Sequence, residues 1–287
     1  MIEINKVLDK ASINGQMIDP PIPIERFDLN YRWYVPLLSW YKENIDKEAE
    51  KVPLDWYKPS TTTICDIVSK GVGFNMWLGN AVSYAAAMEY ANERADIGTM
   101  VHDACERLIL GDEVDTEVGW IDRKTSEIRE WTDEHRKYIM SFLAFHDLTE
   151  FKTEATEVSL YHPNHPTAGT IDWVVRIKNK KGKWERWMID FKTGKGYDIH
   201  QVQLSDYKTL WDLHFPRKKV NRIACLYLTS GWRLHATSKK SLKEYDHNPA
   251  LVNKVYTLWS HFNHDPKPSF KDELPKVFTL TKEENHE

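Results

Sequence analysis

The stretch WMIDFKTG, residues Trp187–Gly194, decides the fold that the sequence predicts. Apolar and charged side chains alternate in it, as in a β-strand whose successive side chains point to opposite faces of a sheet. We therefore expect Ile189 and Phe191 to point into the core, and Asp190 and Lys192 to project together from the other face. An acidic and a basic residue at this spacing occur about six times by chance in a chain of this composition, so the pair indicates a site only together with other residues.

A second carboxylate lies upstream, in the segment GTID, residues Gly169–Asp172. Asp172 is flanked by apolar residues, an environment in which an unpaired charge is costly. The segment NKKGK, residues 179–183, is typical of a hairpin turn, so we expect Asp172 and Asp190 to come together. Two adjacent carboxylates repel unless a cation or proton intervenes. Hard oxygen ligands favour one or two Mg²⁺ or Mn²⁺ ions.

Two helical segments add polar pairs spaced by one turn. Gln203 and Tyr207 lie four residues apart in QLSDY, directly after the strand. The alternative is an amphipathic helix with its polar residues in solvent. His102 and Glu106 have the same spacing in the first half of the chain, although a histidine on a helix is more often structural or superficial.

The coarse pattern is a helical first half followed by a mixed second half, which predicts an α/β (mixed α+β) protein with a mixed sheet flanked by helices. Helices are predicted over residues 37–51, 75–94, 96–110, 126–148, 198–213 and 249–262, with a further helix starting near Pro59. Strands are predicted over residues 154–161, 169–177, 184–191, 222–228 and 232–236, and a frayed tail over 281–287. We expect a helical N-terminal region (1–94), a core (95–240) and a C-terminal helix with tail (241–287), within one continuous domain.

Composition narrows the function classes. The chain has 287 residues, a net charge of -4 and 12 Trp, so a nucleic acid would be bound by a local basic patch rather than by a basic surface. Three distant cysteines support no disulfide framework, zinc ribbon or four-cysteine cluster.

No apolar run is long enough to span a bilayer, and the N-terminus has no secretory pattern, which predicts a cytoplasmic protein. The segment HPNH, residues 162–165, is predicted to be a surface turn.

Together the motifs resemble those of one family. Gly-x-x-x-His102, Gly-Thr-Ile-Asp172, Ile-Asp190-Phe-Lys192-Thr and Gln203-Leu-x-x-Tyr207 occur in the order found in the RecB-like branch of the PD-(D/E)XK nuclease superfamily. The phage-encoded exonucleases of that branch are the most similar. The segment PSTTTI, residues 59–64, resembles the one that often opens those proteins, so the likeness spans roughly residues 59 to 229. Isoleucine replaces the proline of the literal motif, and the four cysteines of the iron–sulfur members are not present in the sequence.

The resemblance implies a restriction-endonuclease-like core and a role for each motif residue. Asp172 and Asp190 would bind the metal and take part in catalysis with Lys192, and His102 would be an additional ligand. An acidic position on the preceding strand matches Glu157, with Glu154 as the alternative. The resemblance also implies that Gln203 and Tyr207 contact DNA or order the site.

The resemblance further implies a metal-dependent exonuclease acting on DNA ends in phage or prophage recombination, replication or repair. A single-strand annealing or recombination protein would be its partner, and a bacterial host cytoplasm its location. Two alternatives stay open: a nicking or structure-specific endonuclease, and a non-catalytic DNA-binding subunit on a nuclease frame.

Basic and aromatic residues near the strand suggest where DNA would bind. Residues 178–195 contain seven basic residues against two acidic ones, and Arg217–Lys219 form a second basic run. We expect this patch, including Lys195, to contact the phosphate backbone, although a solvated hairpin tip is an equal alternative. Unpaired bases could stack on aromatic residues of the same region, namely Trp173, Trp184, Trp187 and Tyr197.

Overall fold

The structure is a computed structural model that describes residues 22–68, 72–122, 126–230, 241–264 and 266–270. Within these ranges the fold is mixed α/β, as predicted. The strands are β1 Ile24–Asp28, β2 Arg32–Pro36, β3 Lys58–Pro59, β4 Trp120–Ile121, β5 Ile128–Arg129, β6 Phe151–Tyr161, β7 Ala168–Lys178, β8 Trp184–Lys192, β9 Arg222–Tyr227 and β10 Leu242–Tyr245. The helices are α1 Leu38–Asn44, α2 Thr61–Cys65, α3 Val72–Gly79, α4 Tyr84–Leu110, α5 Asp133–Leu148, α6 Ile199–His214 and α7 Pro249–Phe262.

The main sheet has five strands in the order β10-β9-β8-β7-β6. Strands β8 and β9 pair in parallel and all other neighbours are antiparallel, which confirms the mixed sheet. The predicted hairpin joins β7 to β8, and Gly182 in its turn has φ 73°, a conformation that glycine adopts without steric cost. Parallel neighbours need a long crossover, and α6 lies in the crossover from β8 to β9.

Both faces of the sheet are covered, which explains why its central strands are apolar on both sides. Helix α6 covers one face, where Met188, Leu204 and Trp211 are fully buried. Helices α4 and α5 cover the other, where Ile189 and Phe191 pack as predicted against Phe142 of α5. The Asp190 side of β8 therefore lies under α6.

The N-terminal part contains a small sheet, β1-β2-β3, that the sequence did not predict. It is fixed to the main sheet by a bridge between Ser60 and Ala168 and by a hydrogen bond of 2.8 Å from Tyr161 Oη to the Trp56 carbonyl. Helix α2 starts where predicted, because the Ser60 hydroxyl caps it by accepting a hydrogen bond from the Thr63 N–H. Residues 24–65 are thereby joined to the end of β6 and the start of β7, the strand that carries Asp172.

Four predicted helices differ from the structure. The single helix predicted over residues 75–94 is interrupted at residues 80–83, because the Ser83 side chain caps a new helix by accepting a hydrogen bond from the Ala86 N–H. The predicted break between residues 94 and 96 is wrong, because α4 runs without interruption across it to a left-handed Gly111. The first helix ends at Asn44 rather than residue 51, since the Asp46 side chain accepts a hydrogen bond from the Glu48 N–H and favours a turn. Helix α5 begins at Asp133 rather than residue 126, because Thr132 and His135 form a capping box.

The remaining predicted elements of the second half agree with the structure to within a few residues, and α7 has the predicted bounds. The strand predicted over 232–236 and the tail over 281–287 lie outside the described residues. None of the helices in the described ranges combines the length and the apolar character needed to cross a membrane.

Candidate metal centre

Asp190 and Lys192 lie at the end of β8 and contact each other, as the alternation predicts. The Lys192 ammonium forms an ion pair with Asp190 Oδ2. Gln203 of α6 connects both groups, because its Nε2 donates to Asp190 Oδ1 at 3.1 Å and its Oε1 accepts from Lys192 Nζ at 3.3 Å. The Cys225 thiol, on the parallel neighbour β9, lies 3.7 Å from Asp190 Oδ2. Helix α6 therefore contacts both Asp190 and Lys192, and strand β9 contacts Asp190.

Asp172 lies beside this pair, where the β7–β8 ladder ends. The last paired residues are Trp173 and Ile189. Beyond them the Asp172 carboxylate takes over the role of a backbone acceptor, since its Oδ2 receives the Phe191 N–H at 2.8 Å. The same oxygen lies 3.3 Å from His102 Nδ1 on α4. Asp172 of β7 therefore contacts both α4 and β8.

Glu157 completes a cluster with His102 and Asp172. One potential ligand atom from each of these residues lies within 4.8 Å of the other two. The neighbouring pairs Thr156–Trp173 and Val158–Ile171 place Glu157 opposite Asp172. Its φ of 49° is uncommon for a residue with a side chain and is typical of functional positions under backbone strain.

Glu154, the alternative acidic position, has a different environment. Its carboxylate pairs with Arg186 and with Arg176 Nε at 2.9 Å. These two guanidinium groups occupy both oxygens of Glu154. Glu157 is therefore the acidic residue of β6 that the structure brings to the cluster.

Burial and the proximity of other charged groups shift the pKa values of Asp172 and Lys192. Burial, together with the negative charge of Asp190, raises the pKa of Asp172 to about 6, although His102, Lys192 and the Phe191 N–H act in the opposite direction. Burial lowers the pKa of Lys192, but Asp190 and Asp172 more than offset it, so the pKa lies above its ordinary value. Lys192 therefore remains a cation at neutral pH.

These residues fit a hard divalent cation. Two carboxylates and an imidazole are ligands that Mg²⁺ or Mn²⁺ accepts in proteins, and crowded acidic groups are stabilised when a cation neutralises them. The three-residue cluster is made of His102, Glu157 and Asp172. Asp190 lies next to it rather than in it, with its oxygens already in contact with Lys192, Gln203 and Cys225.

Gln203 and Tyr207 lie on the same face of α6, as the spacing predicts, and are 9% and 4% exposed. Gln203 Nε2 is also 3.3 Å from Tyr207 Oη. Burial raises the pKa of Tyr207 well above its usual range. Of the two roles that the resemblance implies, this burial favours ordering of the site over contact with DNA.

The basic hairpin does not adjoin the site. Each strand advances about 3.3 Å per residue, so the turn between β7 and β8 lies about 20 Å from Asp172 and Asp190. Moreover, Lys178 pairs with Glu150 at 2.5 Å and Arg186 with Glu154. The expectation of one basic patch around the site is therefore wrong for the hairpin. Lys195 is different, because it is exposed on the loop that directly follows Lys192.

Most of the aromatic residues predicted to stack on DNA bases instead contact other parts of the protein. Trp173 is completely buried in the core between sheet and helices. Trp184 lies under Lys152 and Lys178 at the hairpin end, and Trp187 lies under Arg222. Only Tyr197 of this set lies on the loop after β8, where its ring contacts His200.

A buried polar cluster around Asp206 was not predicted. Asp206 is fully buried on α6, and its carboxylate accepts from Thr61 at 2.5 Å, Thr167 at 2.6 Å and His165 at 2.6 Å. The prediction that residues 162–165 form a mere surface turn is thus wrong for His165, which is 9% exposed. Asp206 stands inside the QLSDY motif, but no periodicity distinguishes it from a solvated residue.

Comparison with known proteins assigns no family: no family model matches the sequence, and no curated protein matches it.

Proposed function

We propose that this chain is a Mg²⁺- or Mn²⁺-dependent nuclease that hydrolyses phosphodiester bonds at DNA ends. The observation that carries the proposal is the convergence of His102, Glu157, Asp172, Asp190 and Lys192 from α4, β6, β7 and β8 at one place. Burying several carboxylates together is unfavourable without a function that needs them. The motif order and the mixed sheet support a restriction-endonuclease-like core of the RecB-like type as part of the same proposal.

Charge balance at the site supports one divalent ion. Three carboxylates, those of Glu157, Asp172 and Asp190, face the single ammonium of Lys192, so the cluster lacks two positive charges when all three are ionised. A divalent cation supplies this charge, whereas a neutral ligand would leave the carboxylates in mutual repulsion. His102, Glu157 and Asp172 would hold the ion, with Asp190 as the adjacent carboxylate.

Lys192, Gln203 and Asp172 would each have a separate role in the reaction. When bound, the cation would lower the pKa of water and neutralise charge on the scissile phosphate. Lys192 presents a compact positive charge that holds a phosphate oxygen or the attacking water. Gln203 keeps that ammonium beside Asp190, so the positive charge is positioned before the substrate arrives. Asp172 is fixed by the Phe191 N–H and stays oriented in the absence of substrate.

The test is cleavage of end-labelled linear DNA with Mg²⁺, with Mn²⁺ and with EDTA. We expect cleavage with either metal and none with EDTA. Asp172→Asn and Lys192→Ala should each lower the rate at least about a hundredfold, as is usual when one charge-stabilising or acid–base group is lost. Asp112→Asn and Lys137→Ala change the same residue types at exposed positions and should cleave as the unaltered protein does.

A second substrate distinguishes an exonuclease from an endonuclease, and a stability measurement tests metal binding. Covalently closed circular DNA should stay intact with an exonuclease, whereas an endonuclease would nick it. Mn²⁺ should raise the melting temperature of the unaltered protein but not that of Asp172→Asn. Cleavage that persists in folded Asp172→Asn, or that needs no metal, would contradict the proposal. The phage recombination setting and an annealing partner belong to the proposal through the resemblance of the motifs.

A further inference from the structure

The outer half of α4 is exposed, although this helix carries His102 at the candidate metal centre. Tyr84 is 69% exposed and Met88 40% exposed. Ala95 is exposed and Ala91 half-buried. At 100° per residue, all four lie within about 40° of the direction of His102. We call these four residues the outer stripe.

The outer stripe leads directly to the metal cluster. Tyr84 precedes His102 by five helical turns, a distance of about 27 Å. Gly98 lies between them, and a Cβ there would be 3.4 Å from Thr193 Oγ1, so the loop after β8 rests on α4 at this point. Tyr138 of α5 holds the same loop by donating to the Thr193 carbonyl at 2.9 Å. The stripe is therefore continuous with the end of β8, where Lys192 lies.

The acidic side chains of this half of α4 point away from the outer stripe, and a basic side chain lies on the loop at its inner end. The acidic residues of this half of α4, Glu89, Glu93 and Asp96, lie about 120° to 180° away from the direction of His102. Lys195 is exposed on the loop that contacts Gly98. An apolar, partly aromatic face without acidic groups and with a cation at its inner end has the features of a surface that binds single-stranded nucleic acid.

We propose that the outer stripe guides a single DNA strand to the metal cluster, with bases against Tyr84 and Met88 and a phosphate near Lys195. This inference deepens the proposed nuclease function and rests on it for the end point of the path. It identifies the substrate class as DNA with an unpaired strand. A fully paired blunt duplex would have to be opened before its bases could lie against the stripe.

The first test is binding without cleavage. The affinity of the full chain for fluorescent oligothymidylate of about 20 nucleotides is measured in EDTA by anisotropy. Tyr84→Ala should weaken binding about tenfold, since one stacked base is lost. Tyr84→Phe should bind like the unaltered protein. Lys195→Gln should weaken binding and flatten its salt dependence.

Tyr90 provides a matched control. It is also on α4 and 51% exposed, but it lies off the outer stripe against Trp77. Tyr90→Ala should leave the affinity for oligothymidylate unchanged. Equal losses in Tyr84→Ala and Tyr90→Ala would overturn the inference, as would unchanged binding in Tyr84→Ala. A changed molecular mass of Tyr84→Ala in light scattering, with unchanged affinity, would assign the stripe to a second copy of the chain and overturn it as well.

Failure of the inference can be distinguished from failure of the proposed function. Hydrolysis of thymidine 5′-(p-nitrophenyl phosphate) with Mn²⁺ requires the metal cluster but not the stripe, so Tyr84→Ala should retain it while losing cleavage of oligothymidylate. Loss of both activities in a folded Tyr84→Ala would overturn the guiding role. If the unaltered protein hydrolyses neither substrate yet binds oligothymidylate through Tyr84, the stripe stands as a DNA-binding surface and the nuclease proposal fails.

Discussion

At the scale of single residues, the site combines groups that are costly to bury with partners that compensate for them. Asp190 has Lys192 of the same strand and Gln203 of α6, and Asp172 has the Phe191 N–H of the next strand and His102 of α4. The charge of Asp172 is not fully compensated, as its raised pKa shows. A cation bound beside Asp172 would therefore relieve an unfavourable charge.

The Asp206 cluster gives a prediction about stability. Asp206→Ala should lower the free energy of unfolding by about 3–5 kcal/mol, because three donors lose their buried charged acceptor. Urea unfolding measures the change. Asp198→Ala removes an exposed carboxylate that makes no side-chain cap at the start of the same helix and should cost less than about 1 kcal/mol. Similar values for the two variants would show that the Asp206 cluster is not an anchor.

At the scale of elements, the packing of α6 on β7 depends on Gly169. A Cβ at this position would lie 2.4 Å from Tyr207 Cε1, closer than two carbon atoms can approach. Tyr207 is fully enclosed and linked to Gln203, so it cannot turn away without disturbing the contacts of Asp190. The glycine of the GTID segment is thus explained by a close approach between a strand and a helix.

Gly169→Ala should accordingly destabilise the protein by about 1–3 kcal/mol, the usual cost of overpacking a core, and should also lower any metal-dependent cleavage. Thermal unfolding and the linear-DNA assay measure the two effects. The control is Gly194→Ala, where an added Cβ meets nothing within 4 Å. Unchanged unfolding in Gly169→Ala would mean that α6 can shift away from β7 at little cost.

Alternation and turn signals predicted the elements of the second half well, because each strand from β6 to β9 carries its own pattern. The same signals could not show that α4 is continuous, since Ala95 and Asp96 do not decide between a break and a long helix. They also missed β10 and the small sheet of β1, β2 and β3, because the connection between β1 and β2, residues 29–31, contains no glycine or proline and β3 has only two residues. For the site, spacing identified Asp190 with Lys192 and Gln203 with Tyr207, but the choice between Glu154 and Glu157 required the register of β6.

At the scale of the whole molecule, several histidines are buried or half-buried, which favours their uncharged form. Burial, reinforced by the charge of Lys192, lowers the pKa of His200 to about 4, and burial also lowers the pKa values of His135 and His214. The unfolded chain binds protons at these positions near pH 6.5, whereas the folded chain does not. Their contribution to stability is complete above pH 6.5 and is lost as the pH falls, for His200 toward pH 4.

We therefore expect His200→Asn to make the free energy of unfolding fall less, by about 1–2 kcal/mol, between pH 7 and 5. The raised pKa of Asp172 acts in the opposite direction over this range, but equally in both proteins. Asparagine can retain a hydrogen bond to Tyr227 Oη, which His200 Nδ1 contacts at 2.8 Å. Urea unfolding at several pH values provides the measurement. His261→Asn, at an exposed position of α7, should leave the pH dependence as it is. A slope that is the same with and without His200 would contradict the expectation.

The parallel pairing of β8 with β9 also bears on the order in which the chain folds. The strands from β6 to β8 pair between neighbours in sequence, and Gln203 lies only 13 residues from Asp190, whereas β9 joins through a crossover of about thirty residues and His102 lies 70 residues before Asp172. Because long loops close more slowly, we expect Asp172, Asp190 and Gln203 to come together before α4 docks. A partly folded chain would then contain the two neighbouring carboxylates without the imidazole that contacts Asp172.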